Sequence, residues 1–321
     1  MSDRIATRVA ASLAVLNDYL TSLRGAAPAS SDLLEHAYQG LSTFSLGGKH
    51  LRARLVHISA GDVQGDQLQA ATVFGACVDM MHGAFLIHDD IIDRDDTRRG
   101  APTVHAAVRD EFGNEHLGTS IAITTGDLGL NTAIGVLLDS PVDDTLVRQA
   151  MKILNAAAGQ TIIGEILDIA HSVADQPDPD LVRLSNHLKT SDYSFSAPLK
   201  LGALAAGRDP APMGPIGREL GRAYQAADDI AGTVGQSADT GKLAGGDVLH
   251  GRATLMTMRM DNGAEEDPMR LAEITADVVN EGQAHLEVAR ELIDKALLEP
   301  GIRDDLLTVT STIEGMLRTY A

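Results

Sequence analysis

Along most of this chain apolar side chains recur at intervals of three and four residues, the period of an α-helix with one buried face. The opening segment shows it with Ile5, Val9, Leu13, Leu16 and Leu20, and Gly25 through Pro28 closes the run. The same pattern predicts helices over about 32–45, 49–60, 66–92, 116–138, 143–172, 180–206, 215–235, 252–262, 268–297 and 300–319. Between them lie breakers: Gly61 to Gly65, Gly100-Ala101-Pro102, the stretch 175–180, Gly207 to Pro210, and Asp261-Asn262-Gly263. No stretch alternates apolar and polar residues between hairpin turns, so strands should be nearly absent. No linker, low-complexity tract or short-period repeat divides the chain. One all-α helical bundle over residues 1–321 is the simplest reading.

Composition sharpens this. Aromatics are only 3% of the residues, with no Trp, whereas hydrophobic residues reach 44%, which favours helices packed through aliphatic side chains. The net charge of −19 speaks against a nucleic-acid partner, which needs a basic face to neutralise phosphates. A small anionic substrate stays open, because a local cluster or a metal ion can reverse the field inside a cleft. Cys77 is the single cysteine, so no intrachain disulfide can form and a reducing compartment is expected. The first residues lack a charged stretch followed by an apolar one. No uninterrupted apolar run is long enough to span a bilayer; the best, Ile121 to Leu138, is broken by Thr124, Thr125, Asp127 and Asn131. No transmembrane segment and a cytoplasmic location are therefore expected.

Three segments carry chemistry. The first is His88-Asp89-Asp90-Ile91-Ile92-Asp93, running on through Asp95 and Asp96 to Arg98-Arg99-Gly100 at the end of a long apolar helix. Asp89 and Asp93 project from one helix face, where like charges repel unless a divalent cation joins them. Arg98 and Arg99 suit phosphate oxygens. An acidic helix end by itself is equally consistent with a solvated cap. The second segment, Gln225 to Asp228-Asp229 and Gly232, repeats the logic, and a glycine-rich stretch with Lys242 and Arg252 follows it. Two such segments are hard to assign to chance. The third is Gly47-Gly48-Lys49-His50-Leu51-Arg52, where glycines lead into a helix N-terminus that favours anions. Neither glycine-rich stretch has the spacing of a nucleotide-binding P-loop.

In this order and spacing the three segments resemble the trans-isoprenyl diphosphate (polyprenyl) synthase family, which includes the farnesyl and geranylgeranyl diphosphate synthases. The resemblance covers about residues 44 to 256 and extends to Pro102-Thr103-Val104-His105. It implies the isoprenoid synthase fold, an all-helical bundle around a central apolar cavity. It further implies that Asp89, Asp93 and Asp228 ligate Mg²⁺ and that Arg98 contacts an allylic diphosphate. Lys49, Arg52, His82 and Arg99 would hold isopentenyl diphosphate. Lys189-Thr190 matches the family's Lys-Thr pair, Gln225 opens the second motif, and Lys242 and Arg252 would complete the clamp. A homodimer is implied as well. Departures are Gly232 where the family usually ends its second motif with Asp, Arg252 where Lys is usual, and His50 and Ala53 where Arg and Pro are usual.

The reaction so implied is ionisation of the allylic diphosphate, attack by the double bond of isopentenyl diphosphate, and proton loss, which needs no side-chain nucleophile. Segments 94–104 and 236–251 are candidates to close over the site and exclude water. Ala84 and Phe85, one turn before Asp89, should border the product tunnel, Ala84 permissive and Phe85 restrictive. That balance leans to geranylgeranyl diphosphate, with farnesyl diphosphate next. His88 reads as a core histidine, and Glu165 and Asp168 as groups near the metal or simply buried and paired. Two other functions stay in view. A terpene cyclase has no use for Lys49, Arg52 and the Arg98-Arg99 pair, and a non-catalytic partner subunit finds support only in Gly232.

Overall fold

The computed structural model describes residues 3–173, 178–234, 254–260 and 267–319. It is all-helical apart from one minimal hairpin. In chain order the elements are α1 (Asp3–Gly25), α2 (Asp32–Leu46), α3 (Leu51–Ala60), α4 (Gly65–Ile92), β1 (Thr97–Arg98), β2 (Ala101–Pro102), α5 (Val104–Phe112), α6 (Glu115–Leu138), α7 (Asp144–Ser172), α8 (Pro179–His187), a π-helical turn (Leu188–Ser196), α9 (Ala197–Ala205), α10 (Met213–Val234), a 3₁₀ turn (Thr257–Arg259), α11 (Pro268–Lys295) and α12 (Pro300–Arg318). The chain forms two compact units, one of residues up to 151 with 204–207, the other of 152–203 with everything from 208 onward.

In the first unit α4 is the central helix, packed against α1, α2, α3 and α6. Its apolar residues run all round the helix, and Phe74, Ala76, Met80, Ala84 and Ile87 are each at most 1% exposed. Small residues let the backbones close up: a Cβ at Gly83 would lie 3.0 Å from the backbone of Ser45 on α2. In the second unit α10 packs on α11, α12 and the π turn. Its buried stripe of Ile216, Leu220, Ala223, Ala227 and Ile230 recurs at helical spacing.

Three expectations about the elements change. The helix predicted over 180–206 is three pieces: Pro198 has no N–H to donate and its ring crowds the carbonyl four residues back, and just before it the chain widens to π register, with Ala197 N bonded to Asp192 O. Of the helix predicted over 252–262, the described residues 254–260 hold only the 3₁₀ turn, and 252, 253, 261 and 262 lie outside them. Residues 97–102, read as a breaker, form a two-residue hairpin, pairing Thr97 with Pro102 and Arg98 with Ala101. Its turn residues Arg99 (φ 53) and Gly100 (φ 77) are both left-handed, the geometry of a type I′ turn.

The absence of a membrane-length helix also needs correction. Gly65–Ile92, Glu115–Leu138 and Asp144–Ser172 are each long and apolar enough to cross a bilayer by length and composition. Small polar residues break the apolar run without lowering mean hydropathy enough to exclude a span. The apolar window of α4 is 78% buried, against 44% for α6 and 17% for α7.

Candidate active site

In the first unit, the last turn of α4 carries Asp89 and Asp90 and is capped by Asp93, whose N–H still bonds to Asp89 O at 2.8 Å. The helical repeat therefore holds through Asp93, and the two outer carboxylates share a face, both partly exposed. Asp90, a third of a turn away, is 1% exposed. It accepts from Arg98 Nε at 2.5 Å, while Arg98 Nη2 lies 3.4 Å from Asp89 Oδ2 and 3.8 Å from Asp95 Oδ2. Burial pushes the Asp90 carboxyl up to about 7 against the opposing pull of Arg98. For Arg98 burial acts to lower its pKa, but Asp90 and Asp89 outweigh it and the guanidinium is held more firmly protonated.

The hairpin separates the two adjacent arginines. Arg98 turns to the carboxylates, whereas Arg99 at the tip reaches over Gly47-Gly48, where a Cβ at Gly48 would lie 2.8 Å from its Cζ. Gly48 (φ 108) and His50 (φ 50) bend this loop into α3. His50 Nδ1 lies 2.8 Å from Asp79 Oδ2, and Ala53 N donates to Asp79 Oδ1 at 3.3 Å. Asp79, buried on α4, thus caps α3 from another helix and fixes the loop that carries Lys49 and Arg52. The loop sequence alone did not show it. The available signal was a lone carboxylate inside the apolar run of α4, which must find a partner.

Around this loop positive charge converges. Burial, then Arg52, Arg99, Arg98 and His50, hold His82 well below the usual imidazole range. Burial, then Arg98 and Arg52, lower Arg99. Arg52, His82 and Arg99, expected on one substrate, lie within electrostatic reach of one another, with Arg98 on the carboxylate side. Lys49 is exposed on the same loop. Ala84 is fully buried on the α6 side, where a Cβ at Gly129 would come 2.8 Å from its own, and Phe85 is partly exposed. His88 makes the expected bond to a neighbouring helix, to Ile123 O at 3.1 Å, but its side chain is 24% exposed and also lies 3.5 Å from Asp127 Oδ1, so it is not a core residue.

In the second unit, Lys189 Nζ sits 2.8 Å from Glu165 Oε2 and 2.6 Å from Asp168 Oδ2, both on α7. Thr190 donates to Gln225 Oε1; Gln225 Nε2 donates to Asp229 Oδ1 at 2.6 Å; and Leu255 N donates to Asp229 Oδ2 at 2.8 Å. Asp229 is 2% exposed, whereas its neighbour Asp228 is exposed. Each Asp pair therefore divides the same way: the second carboxylate is buried and braces its surroundings, the first faces outward. Lys242 and Arg252 lie outside the described residues.

Among the described residues no three His, Cys, Asp or Glu side chains gather closely enough to hold a metal by themselves. The donor set still fits Mg²⁺, which takes one or two carboxylates and completes its octahedron with water and substrate phosphates. Asp89 with Asp93, and separately Asp228, offer hard oxygen donors of that kind.

The arrangement is that of an all-helical prenyltransferase. The polyprenyl synthetase family model matches residues 32–293, and the chain belongs to that family. It is similar to the geranylgeranyl diphosphate synthase of Mycobacterium tuberculosis, 32% identical over 256 residues that cover 75% of this chain and 69% of that protein. The farnesyl diphosphate synthase of Escherichia coli is 30% identical over 265 residues, 79% of this chain and 83% of its own length. Among solved structures, a geranylgeranyl pyrophosphate synthase of Corynebacterium glutamicum, complexed with isoprenyl diphosphate and magnesium, aligns with a TM-score of 0.85 at 27% identity, covering 96% of this chain and 98% of that one.

Proposed function

We propose that this enzyme condenses an allylic diphosphate with isopentenyl diphosphate in a Mg²⁺-dependent reaction, releasing a trans prenyl diphosphate one unit longer. The observation that carries this reading is the pairing, within one unit, of the Asp89–Asp93 face with the separate cationic cluster of Arg52, His82 and Arg99. One suits a metal-bridged diphosphate, the other a diphosphate held by side chains alone. A cyclase would need only the first, and a non-catalytic subunit neither.

In this reading Asp89, Asp93 and Asp228 hold Mg²⁺, which when bound withdraws charge from the departing diphosphate. Arg98, fixed by Asp90, points a firmly charged guanidinium at the allylic diphosphate. Lys49, Arg52, His82 and Arg99 hold isopentenyl diphosphate, and neutral His82 donates one N–H without adding to the repulsion. Lys189, held by Glu165 and Asp168, and Thr190, held by Gln225, present a cation and a hydroxyl beside the reacting allyl group. Lys242 and Arg252 belong to the same clamp by their place after Asp228. Ala84 and Phe85 set tail length. The small Ala84, together with the M. tuberculosis and C. glutamicum relatives, favours geranylgeranyl diphosphate over farnesyl diphosphate as the end product.

A homodimer is part of the proposal. α6 exposes Ile123, Ile134 and Leu138, and α7 exposes Ile162, Ile163, Ile166 and Ile169, each at least 38% exposed. Asp127 within α6 and Arg148, Lys152, Glu165 and Asp168 along α7 make lipid a poor cover for these helices.

The test is incubation of the purified protein with Mg²⁺, radiolabelled isopentenyl diphosphate and, separately, dimethylallyl, geranyl and farnesyl diphosphates, with products sized after dephosphorylation. A ladder ending at twenty carbons supports the full reading, and an end at fifteen moves the product to farnesyl diphosphate. No incorporation with any starter would sink it.

A further inference from the structure

A cavity of about 340 Å³ in the second unit lies among α7, the π turn, α9 and α10. Lys152, Lys200 and Arg218 line it, with Asp192 the one carboxylate, and Ile153 and Ala197 among its apolar wall. None of the three cations forms an ion pair among the described residues. Two of them converge on one point: a Cβ at Gly214 would lie 3.3 Å from Lys200 Nζ and 3.5 Å from Arg218 Nη1. The two charges thus stand within about 7 Å of each other, inside one Debye length at physiological salt. Three cations against the single carboxylate Asp192 leave an excess of positive charge that raises the energy of the ligand-free fold, and an anion lowers it. Residues nearby feel both signs: burial, then Arg222, lower His187, Asp192 opposes them, and Arg218 adds a smaller lowering.

The cations of this cavity stand apart from the Lys189–Asp228 groups of the same unit, whereas Asp192 and Gln160 bring its rim within three residues of Lys189 and five of Glu165. Arg218 precedes Asp228 by ten residues along α10, roughly 15 Å at the helical rise. Lys152 precedes Glu165 by thirteen residues along α7, roughly 20 Å.

We propose that this cavity is a second anion site that takes a diphosphate carrying a short hydrocarbon tail. Lys200 and Arg218 hold the head, Lys152 adds charge, and the wall of Ile153 and Ala197 covers the tail. Three cations against Asp192 match a diphosphate better than a single carboxylate, and the arginine fork suits phosphate oxygens. The volume exceeds what a bare diphosphate fills. This site goes beyond the condensation reading and does not depend on it.

Residue-resolved acetylation of the full chain, followed by peptide mass spectrometry in EDTA, tests it. Lys295, exposed on α11, is the reference, and Lys49 and Lys189 report the proposed active site separately. With free geranyl diphosphate at ten times its dissociation constant, acetylation of Lys200 and Lys152 slows about tenfold. Arg218→Gln weakens that protection and leaves protection at Lys49 and Lys189 unchanged. Unchanged rates at Lys152 and Lys200 in millimolar geranyl diphosphate overturn the site, whatever happens at Lys49 and Lys189. Inorganic diphosphate should protect only at higher concentration; equal potency would overturn the assignment of the apolar wall to a tail.

Discussion

Arg98 Nε donates to Asp90 Oδ1 at 2.5 Å, and the two side chains are only 13% and 1% exposed. This pair ties the hairpin to the end of α4 and sets where the Arg98 fork points. Without Arg98 nothing opposes the effect of burial, so the Asp90 carboxyl, already at about 7, must take up a proton and loses its guanidinium donor. Arg98→Met should lower stability by about 3 kcal/mol. Denaturant unfolding measures this, and a loss below 1 kcal/mol would mean that water reaches Asp90 and that the pair is not structural.

The cluster over Gly47-Gly48 gives a different kind of effect. Arg99→Ala should raise KM for isopentenyl diphosphate about tenfold or more, because charge-assisted contacts to phosphate are lost. KM for the allylic substrate should hardly move. The thermal midpoint should not fall, since Arg52 and Arg98 lose a like-charged neighbour. Equal rises in both KM values would contradict the division of the two diphosphates.

Gly48→Ala probes the same loop through its backbone. At φ 108 an added Cβ is strained and would collide with the Arg99 guanidinium. The expected cost is about 1–3 kcal/mol in stability. It should also bring an isopentenyl-diphosphate KM defect like that of Arg99→Ala. Kinetics indistinguishable from the parent would show that Arg99 does not act from this position.

Removal of the divalent metal with EDTA should abolish turnover, and Mg²⁺ should restore it. Asp89→Ala should lower kcat by about three powers of ten at saturating Mg²⁺, the worth of several kcal/mol of charge stabilisation. Full turnover in EDTA would remove metal from the mechanism.

On α3, His57 is fully buried, with Nε2 bonded to Ser12 Oγ at 2.9 Å. Burial, then Arg8, push its pKa down to about 4 from 6.5. Between those values the unfolded chain binds the extra proton and the folded chain does not, so stability rises with pH across this window. It is intact above pH 6.5 and is lost as pH falls toward 4, by up to about 3 kcal/mol. Urea unfolding at pH 5 and pH 7.5 should show the difference for the parent and a smaller one for His57→Gln. Identical differences would remove His57 as the cause.

The periodic spacing of apolar residues determined α1, α4, α6, α7, α11 and α12 to within about two residues, because helices long enough to bury a stripe must repeat it. The order of Asp89-Asp90, Arg98-Arg99 and Asp228-Asp229 likewise pointed to the polyprenyl synthetase family, and it was that resemblance which singled out Lys189-Thr190. Tertiary structure decided the rest. Adjacent residues on a helix point about 100° apart, and only the packing of distant segments settles which is covered. So nothing in the sequence marks Asp90 as the buried brace for Arg98, or Asp229 as the anchor of Gln225 and Leu255. Asp79 holds His50 and Ala53 across 26 residues or more, and Glu165 and Asp168 reach Lys189 from another helix. Such pairings follow from how helices approach one another, and a local pattern carries no record of that.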